Sequence, residues 1–372
     1  MSRRYIPVSD HRFRKSPFFE CNDRDDTLYG IYNNRLYPIS SGIDTKAHYA
    51  NLRSNCCLYD VPETPLRITG KDSLPFLEKL FTRSIEKIKI GKAGYAVACN
   101  DKGGVIMDGV LLRPNEKEYI YVQANGDFLN WASAQRQSYE AEIEDFDSWV
   151  LQVQGPTSLA VLEAISGVSE SHLPYYGVTE VDIIGNPFII SRSGWTGERG
   201  FEIYSRGSNF DGRRLWAHIL EKGARHGLVA SDVSSMHVRR IEAGILDYGT
   251  DIDSSLNPFE IGLGRLVHLD KREFIGRDAL VNTSRTSLRL VGITCDEHDP
   301  ERGDLLTMED GTPAGTITAG AFSYTLERGI GFARLLQPAS DGTNFFINTS
   351  SGTKPCISVD LPFIDKEKLL VR

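Results

Sequence analysis

Four short stretches carry the side chains whose types and spacing best suit chemistry. In residues 100–109 (NDKGGVIMDG), paired glycines between two predicted strands permit positive φ in a tight hairpin. Asp108 follows that turn and faces either a cleft or solvent. Residues 151–156 (LQVQGP) put Gln154 at a strand end, where its amide can satisfy a heterocycle's donors and acceptors or cap the next helix. In RSGWTGERGFEI, Gly194, Gly197 and Gly200 surround Trp195 and let the backbone approach a flat ligand. Glu198 in that loop can accept a pair of N–H donors or be a solvated loop glutamate. In RRIEAGILDYGTDI, Arg239 and Arg240 lie on a predicted helix, and a guanidinium can hold a carboxylate with two parallel bonds. Glu242 nearby offers the alternative of an internal ion pair.

The elements that must position these residues read as an α+β body followed by a β domain. Residues 1–60 alternate turn-rich stretches with a helical one, KAHYANLRSNCCLYD. From Leu66 the rhythm is β–α–β: LRIT is a strand and KDSLPFLEKLFT an amphipathic helix. Two strands then flank the turn at 100–104, EYIYVQA is another strand, and NGDFLNWASAQRQSYE is helical. A second unit repeats the pattern: strands WVLQVQG, NPFIISRSG and FEIYS, and helices in PTSLAVLEAIS, LWAHILEKGARHG and SDVSSMHVRRIEAGI, the last opened by Ser231 or Asp232 as a cap. After Gly276, short β-type runs are separated by Gly, Asp and Pro turns. The organisation expected is a body over residues 1–280, split near 150 into two interleaved α+β domains, and an all-β barrel over 287–372.

Composition limits the partners. The chain has 372 residues, 40% hydrophobic and 25% charged, with a net charge of −8 that provides no field for nucleic acid or an anionic membrane. No apolar run approaches the ~20 residues needed to cross a bilayer, and the N-terminus lacks the apolar core of a secretory signal. A cytoplasmic protein is expected. The six cysteines form no CxxC pair, and the eight histidines form no HxxH or HExxH cluster, so free thiols and no metal are expected. An anionic small molecule would need local arginines.

In order and spacing, the four stretches resemble those of the aminomethyltransferase (glycine-cleavage T-protein) family. LNPFEIGLG, FIGRDAL, DGTPAGTITAG, ERGIGFA and LPF extend the likeness over nearly the whole chain. The resemblance implies a three-domain cloverleaf with a C-terminal β barrel around a tetrahydrofolate site. By position it implies that Glu198 binds the pterin edge and that Arg240 is the arginine of the folate site, since RIEAG matches the family's RLEAG from Arg240 onward. It also implies that Tyr95, Gln154, Trp195 and Tyr248 line the pocket. Gln123 stands where the family's strand offers asparagine, and Asp108 and Tyr95 are the candidate catalytic pair.

The departures point within the family. The family's two aspartates after the glycine pair are here Met107 and Asp108, so the first is lost. Methionine neither supplies nor accepts a proton, whereas releasing ammonia from an aminomethyl group calls for placed proton transfer. Residues 26–42 (DTLYGIYNNRLYPISSG) and IEAGILDYGTDI are similar to the family's demethylase branch, which includes dimethylsulfoniopropionate demethylase. The reading favoured is therefore methyl transfer from a small sulfonium or methoxy donor to N5 of tetrahydrofolate. The alternatives are an aminomethyltransferase acting on an N-methyl or N-methylene amine or the glycine-cleavage intermediate, and a folate-binding protein without turnover.

Overall fold

A computed structural model describes residues 9–169, 173–283, 288–349 and 352–372. The first eight residues of the lead-in and the expected barrel boundary at 287 lie outside the described residues. In chain order a short helix α1 (Phe19–Asn22) precedes the hairpin β1 (Leu28–Tyr32) and β2 (Arg35–Ser40). Then come α2 (Thr45–Ser54), β3 (Cys56–Val61), β4 (Thr64–Thr69), α3 (Ser73–Leu80), β5 (Lys92–Cys99), β6 (Val105–Arg113) and β7 (Glu118–Gln123). They are followed by α4 (Phe128–Gln135), β8 (Glu142–Asp145), β9 (Val150–Gln154), α5 (Ser158–Ser166), β10 (Val178–Ile183), β11 (Asn186–Ser191) and β12 (Gly200–Ser205). After α6 (Gly212–Gly223), β13 (Leu228–Ala230), α7 (Val233–Glu242) and α8 (Arg277–Val281) come the last six strands: β14 (Leu290–Cys295), β15 (Leu305–Thr307), β16 (Pro313–Ser323), β17 (Arg328–Leu335), β18 (Asn344–Thr349) and β19 (Gly352–Val359).

These elements form two body sheets, of order β10-β11-β12-β9-β3-β13 and β5-β6-β7-β4-β8, and a closed six-stranded barrel, β14-β17-β16-β15-β18-β19. The mixed α/β body and terminal barrel match the expected fold class. Each body sheet buries its own apolar face: Leu151, Val153, Phe188 and Trp216 belong to one core, and Leu66, Phe76, Tyr121 and Phe128 to the other. Tyr59, Leu112, Val122 and Met236 pack the two sheets together, and Val97, Ile241, Phe259 and Phe332 join the second sheet to the barrel. Those two junctions leave the cleft described below. No helix of the described residues is long and apolar enough to cross a membrane.

Two local readings change. The helix expected over 46–60 ends at Ser54, and Cys56–Val61 is a strand buried on both faces. A continuous apolar run suits a central strand as well as a buried helix, and periodicity does not separate them. The turn-rich lead-in contains a hairpin, in which Tyr32 pairs with Arg35 across Asn33 and Asn34. Both asparagines have positive φ, 48° and 62°, the conformation of the two-residue turn that matches strand twist. Asp232 caps α7, accepting the Ser234 N–H at 3.0 Å, and also accepts the Ser41 N–H at 2.6 Å, which ties the helix to the end of the hairpin segment.

Candidate functional site

The β5–β6 turn is fixed by Asn100, whose Oδ1 accepts the N–H groups of Lys102 and Gly104 at 3.0 and 2.9 Å. Gly103 takes φ +84°, as the sequence predicts, but Gly104 is glycine for another reason. A Cβ there would lie 2.1 Å from the Ser254 carbonyl oxygen. Beyond the turn, strand alternation separates neighbours. Met107 points into the core with Leu111, Tyr121 and Phe128, whereas Asp108 points to the opposite face and borders the cleft. Tyr95, on the adjacent strand and the same face, donates its phenol hydrogen to Asp108 Oδ2. Asp108 is 2% exposed, and its Oδ1 has no partner among the described residues. Burial pushes its carboxyl up to about 6. Burial, then the charge of Asp108, raises the Tyr95 phenol well above its ordinary value.

The cleft encloses about 600 Å³ between the two body sheets, the end of α7 and the barrel. Trp195, Glu198, Tyr248 and Gln123 border it together with Asp108 and Tyr95, so the structure brings six of the eight expected residues to one cavity. Tyr248 is half-buried, and its hydroxyl donates to the Val105 carbonyl at 3.4 Å. Gln123 sits at the end of β7, and its Oε1 is buried without a partner among the described residues.

Gln154 and Arg240 do not border the cavity, which corrects both expectations. Gln154 is a peg beneath the loop, donating to the Ser193 carbonyl at 3.2 Å and accepting from Thr196 Oγ1 at 2.8 Å. A Cβ on Gly194 or Gly200 would come within 2.0–2.3 Å of its amide, so these glycines make room for the peg rather than for a ligand. Arg240 is buried against Asp251 at 2.5 Å, and its guanidinium lies 5.1 Å from the Trp195 ring centroid, behind the cavity wall. Of the two neighbouring arginines, Arg239, which the motif register sets aside, is the one that borders the cavity. Its Nε donates to Glu198 Oε1 at 2.7 Å, and Arg53 of α2 reaches the same oxygen. Glu242 stands 3.7 Å from Arg239 and also accepts from the Tyr49 hydroxyl at 2.8 Å. The internal ion pair thus coexists with the cavity contact.

Sequence reasoning missed both ends of the cavity. Tyr32, Tyr37, Glu63 and Asp247 gather at one end, where burial, then the charges of Asp247 and Glu63, raises both tyrosine phenols. The hairpin alternation LYGIYNNRLYP was the available signal. Burial, then the charge of Glu202, pushes the Glu63 carboxyl up to about 8. At the other end stand Arg265, Lys366 and Lys368, and the C-terminal DKEK run was the signal there. Burial, then the nearby Arg265, lowers the Lys368 ammonium.

These residues fit a tetrahydrofolate. The volume lies within the roughly 300–1,000 Å³ of small-ligand sites. Aromatic walls suit a flat ring, and the basic rim suits a carboxylate tail.

Comparison with known proteins places the chain. Residues 32–271 match the GCVT N-terminal domain, and residues 289–365 match the glycine cleavage T-protein C-terminal barrel domain. An aminomethyltransferase of Lysinibacillus sphaericus is 30% identical over 368 residues, spanning 96% of this chain and all of that one. An aminomethyltransferase of Caldanaerobacter subterraneus subsp. tengcongensis is 31% identical over 329 residues, 86% of this chain and 87% of the other. The glycine cleavage system aminomethyltransferase T of Bartonella henselae has the same fold, with a TM-score of 0.85 at 22% identity over 95% of this chain and 98% of that structure. The cleft between sheets and barrel therefore belongs to a member of the aminomethyltransferase family.

Proposed function

We propose that the chain transfers a one-carbon unit from a nitrogen-bearing donor to tetrahydrofolate, as an aminomethyltransferase does. The observation that carries this reading is the buried Asp108–Tyr95 pair at the wall of a folate-sized cavity. Its curated relatives bear the name aminomethyltransferase, which supports this reading over demethylation of a sulfonium or methoxy donor. Met107 faces the core and an acid still stands at the cavity, so the loss of an acid at 107 does not by itself favour demethylation.

Tetrahydrofolate, when bound, supplies the nitrogen that receives the carbon. Trp195, Tyr248 and Gln123 would form walls of its site, and Arg265 and Lys368 would hold its carboxylates. Glu198, anchored through Oε1 by Arg239, keeps its second oxygen for an N–H pair. As the carbon's bond to the donor heteroatom breaks, the donor leaving with the bonding pair, and the bond to the folate nitrogen forms, the Asp108 carboxylate would take the proton that this nitrogen loses, while Tyr95 holds the carboxylate through Oδ2. A carboxyl pushed up to about 6 is a better proton acceptor than an ordinary one and is still mostly ionised at neutral pH. The rest of the acceleration would come from alignment and water exclusion within the buried cleft.

A second reading, methyl transfer from a sulfonium, draws support from the paired tyrosines Tyr32 and Tyr37, which suit a cation of either kind. The test is to incubate the protein with tetrahydrofolate and separate donors: aminomethylated carrier protein, dimethylglycine, dimethylsulfoniopropionate and a methoxybenzoate. Methylene- and methyltetrahydrofolate are then separated by chromatography. Folate product from the carrier or the amine supports the first reading. Product from the sulfonium or the ether alone would replace it with the second.

A further inference from the structure

The carboxylate of Glu198 is gripped from two helices. From α7, Arg239 Nε donates to Glu198 Oε1 at 2.7 Å, and Arg239 Nη2 donates to the Gly197 carbonyl at 3.4 Å. From α2, Arg53 Nη1 donates to the same Oε1. One turn earlier on α2, Tyr49 donates to both oxygens of Glu242 at 2.8 Å, and Glu242 stands 3.7 Å from Arg239. Residues four apart share one face of a helix, so Tyr49 and Arg53 together close a ring through Glu242, Arg239 and Glu198.

The ring is balanced in charge only with Arg53 in it. The side chains of Glu198 and Glu242 are 2% and 0% exposed, and without Arg53 they would share Arg239 between them. A buried carboxylate that is incompletely paired is costly. One N–H also leaves a carboxylate free to turn about its last torsion, whereas charged donors from two helices fix it. Arg53 itself stands outside the cavity that Glu198 and Arg239 border, and its side chain is 26% exposed. The loop that carries Glu198 has other anchors. Gly197 lies so close to the end of α7 that a Cβ there would meet Ala243 Cβ at 2.5 Å, and Gln154 pegs the loop from below. Removing Arg53 therefore frees the carboxylate rather than the loop.

We propose that Arg53 is a positioning residue for Glu198, which it holds at the cavity wall for the N–H pair of the folate's pterin ring. The inference rests on the tetrahydrofolate reading and adds to it a residue that touches no ligand. Both arginines take Oε1, so Oε2 is claimed by neither. Arg53 lies 145 positions before Glu198, outside the four stretches with the chemistry-bearing side chains, and only folding joins the two. The contact is through a single guanidinium nitrogen, so the site asks for a charge and one donor. Lysine can supply both, although it could not replace a two-pronged arginine.

The test compares two ligands on the full chain by isothermal titration calorimetry. They are tetrahydrofolate and its analogue with the 2-amino group replaced by methyl, which lacks one half of the N–H pair. Wild type, Arg53→Gln, Arg53→Lys and Glu198→Gln are titrated, with melting temperatures taken in parallel. We expect Arg53→Gln to weaken tetrahydrofolate about tenfold and the analogue less than twofold. Arg53→Lys should restore tetrahydrofolate affinity to within threefold of the wild type. Equal weakening of both ligands in Arg53→Gln would overturn the proposal and leave Arg53 a structural residue. Unchanged tetrahydrofolate affinity in Arg53→Gln would overturn it too, because Arg239 alone would then suffice. A folded Arg53→Lys protein that binds no better than Arg53→Gln would contradict the single-contact account. Glu198→Gln separates this inference from the one beneath it. If that variant loses the preference for tetrahydrofolate and Arg53→Gln keeps it, only the role of Arg53 falls. If the wild type binds no tetrahydrofolate, the folate reading itself falls.

Discussion

Tyr95 donates to Asp108 Oδ2 at the cavity wall, and Asp108 Oδ1 is buried with no partner among the described residues. One oxygen of the carboxylate is thus held, and the group as a whole borders the cavity as a candidate proton acceptor. If Asp108 acts as that acceptor, activity must rise with pH through about 6, where its carboxyl ionises. Tyr95→Phe removes the hydrogen bond that favours the ionised form, so the same limb should move to higher pH. Profiles of kcat/KM against pH for the wild type and Tyr95→Phe check this.

Met107 tests the assignment of faces. An acid restored there by Met107→Asp enters the core beside Tyr121 and Phe128 rather than the cavity. The expected cost is about 3–5 kcal/mol, the range for an uncompensated buried charge. Thermal or urea unfolding reads it. A variant as stable as the wild type, with an added ionisation in its pH profile, would place residue 107 at the cavity.

The two arginines should separate by phenotype. Arg240→Met leaves Asp251 buried and unpaired and should cost about 3–5 kcal/mol of stability. Arg239→Lys loses the Nε bond that orients Glu198 and should weaken tetrahydrofolate about tenfold or more, given the roughly 1–3 kcal/mol of a charged hydrogen bond. Melting temperature and folate quenching of tryptophan fluorescence measure the two effects in parallel.

Gly194→Ala should destabilise by about 1–3 kcal/mol, because its Cβ would meet the Gln154 amide at 2.0 Å. Adding Gln154→Ala removes the obstruction, so the double variant should lose less than the sum of the singles. Strict additivity in unfolding experiments would contradict the peg-and-loop relationship.

Glu63 makes stability depend on pH in a definite sense. Its folded-state carboxyl lies near 8, above the unfolded value of about 4.3. A raised carboxyl contributes stability that is complete below the unfolded value and is lost as pH rises through the folded one. Glu63→Gln should therefore gain in melting temperature relative to the wild type between pH 5 and pH 8. A constant difference across that range would contradict the shift.

Much of this architecture was readable from the sequence because turns and caps are local. The Asn100 turn and the Asp232 cap depend on residues a few positions apart. The ordered motifs likewise led to Glu198, Trp195 and Asp108. What escaped depends on packing between distant segments. Whether Arg239 or Arg240 meets the cavity is a matter of helix rotation against the barrel, and both arginines are buried in charged company. The role of Gln154 required the loop to fold back over it. Tyr32 and Tyr37 were passed over because their hairpin reads as turns, and only its closure over the cleft gives those side chains a common target.

The most direct test of the central claim follows a ¹³C-labelled one-carbon donor by NMR in a single turnover with tetrahydrofolate, for the wild type and Asp108→Asn. The account predicts that the label appears on the folate with the wild type from an amine-bearing donor. It predicts a rate about 10²–10⁴-fold lower in Asp108→Asn, with folate affinity within threefold of the wild type. Undiminished transfer by a folded Asp108→Asn protein, or folate binding with no transfer from any donor, would contradict it.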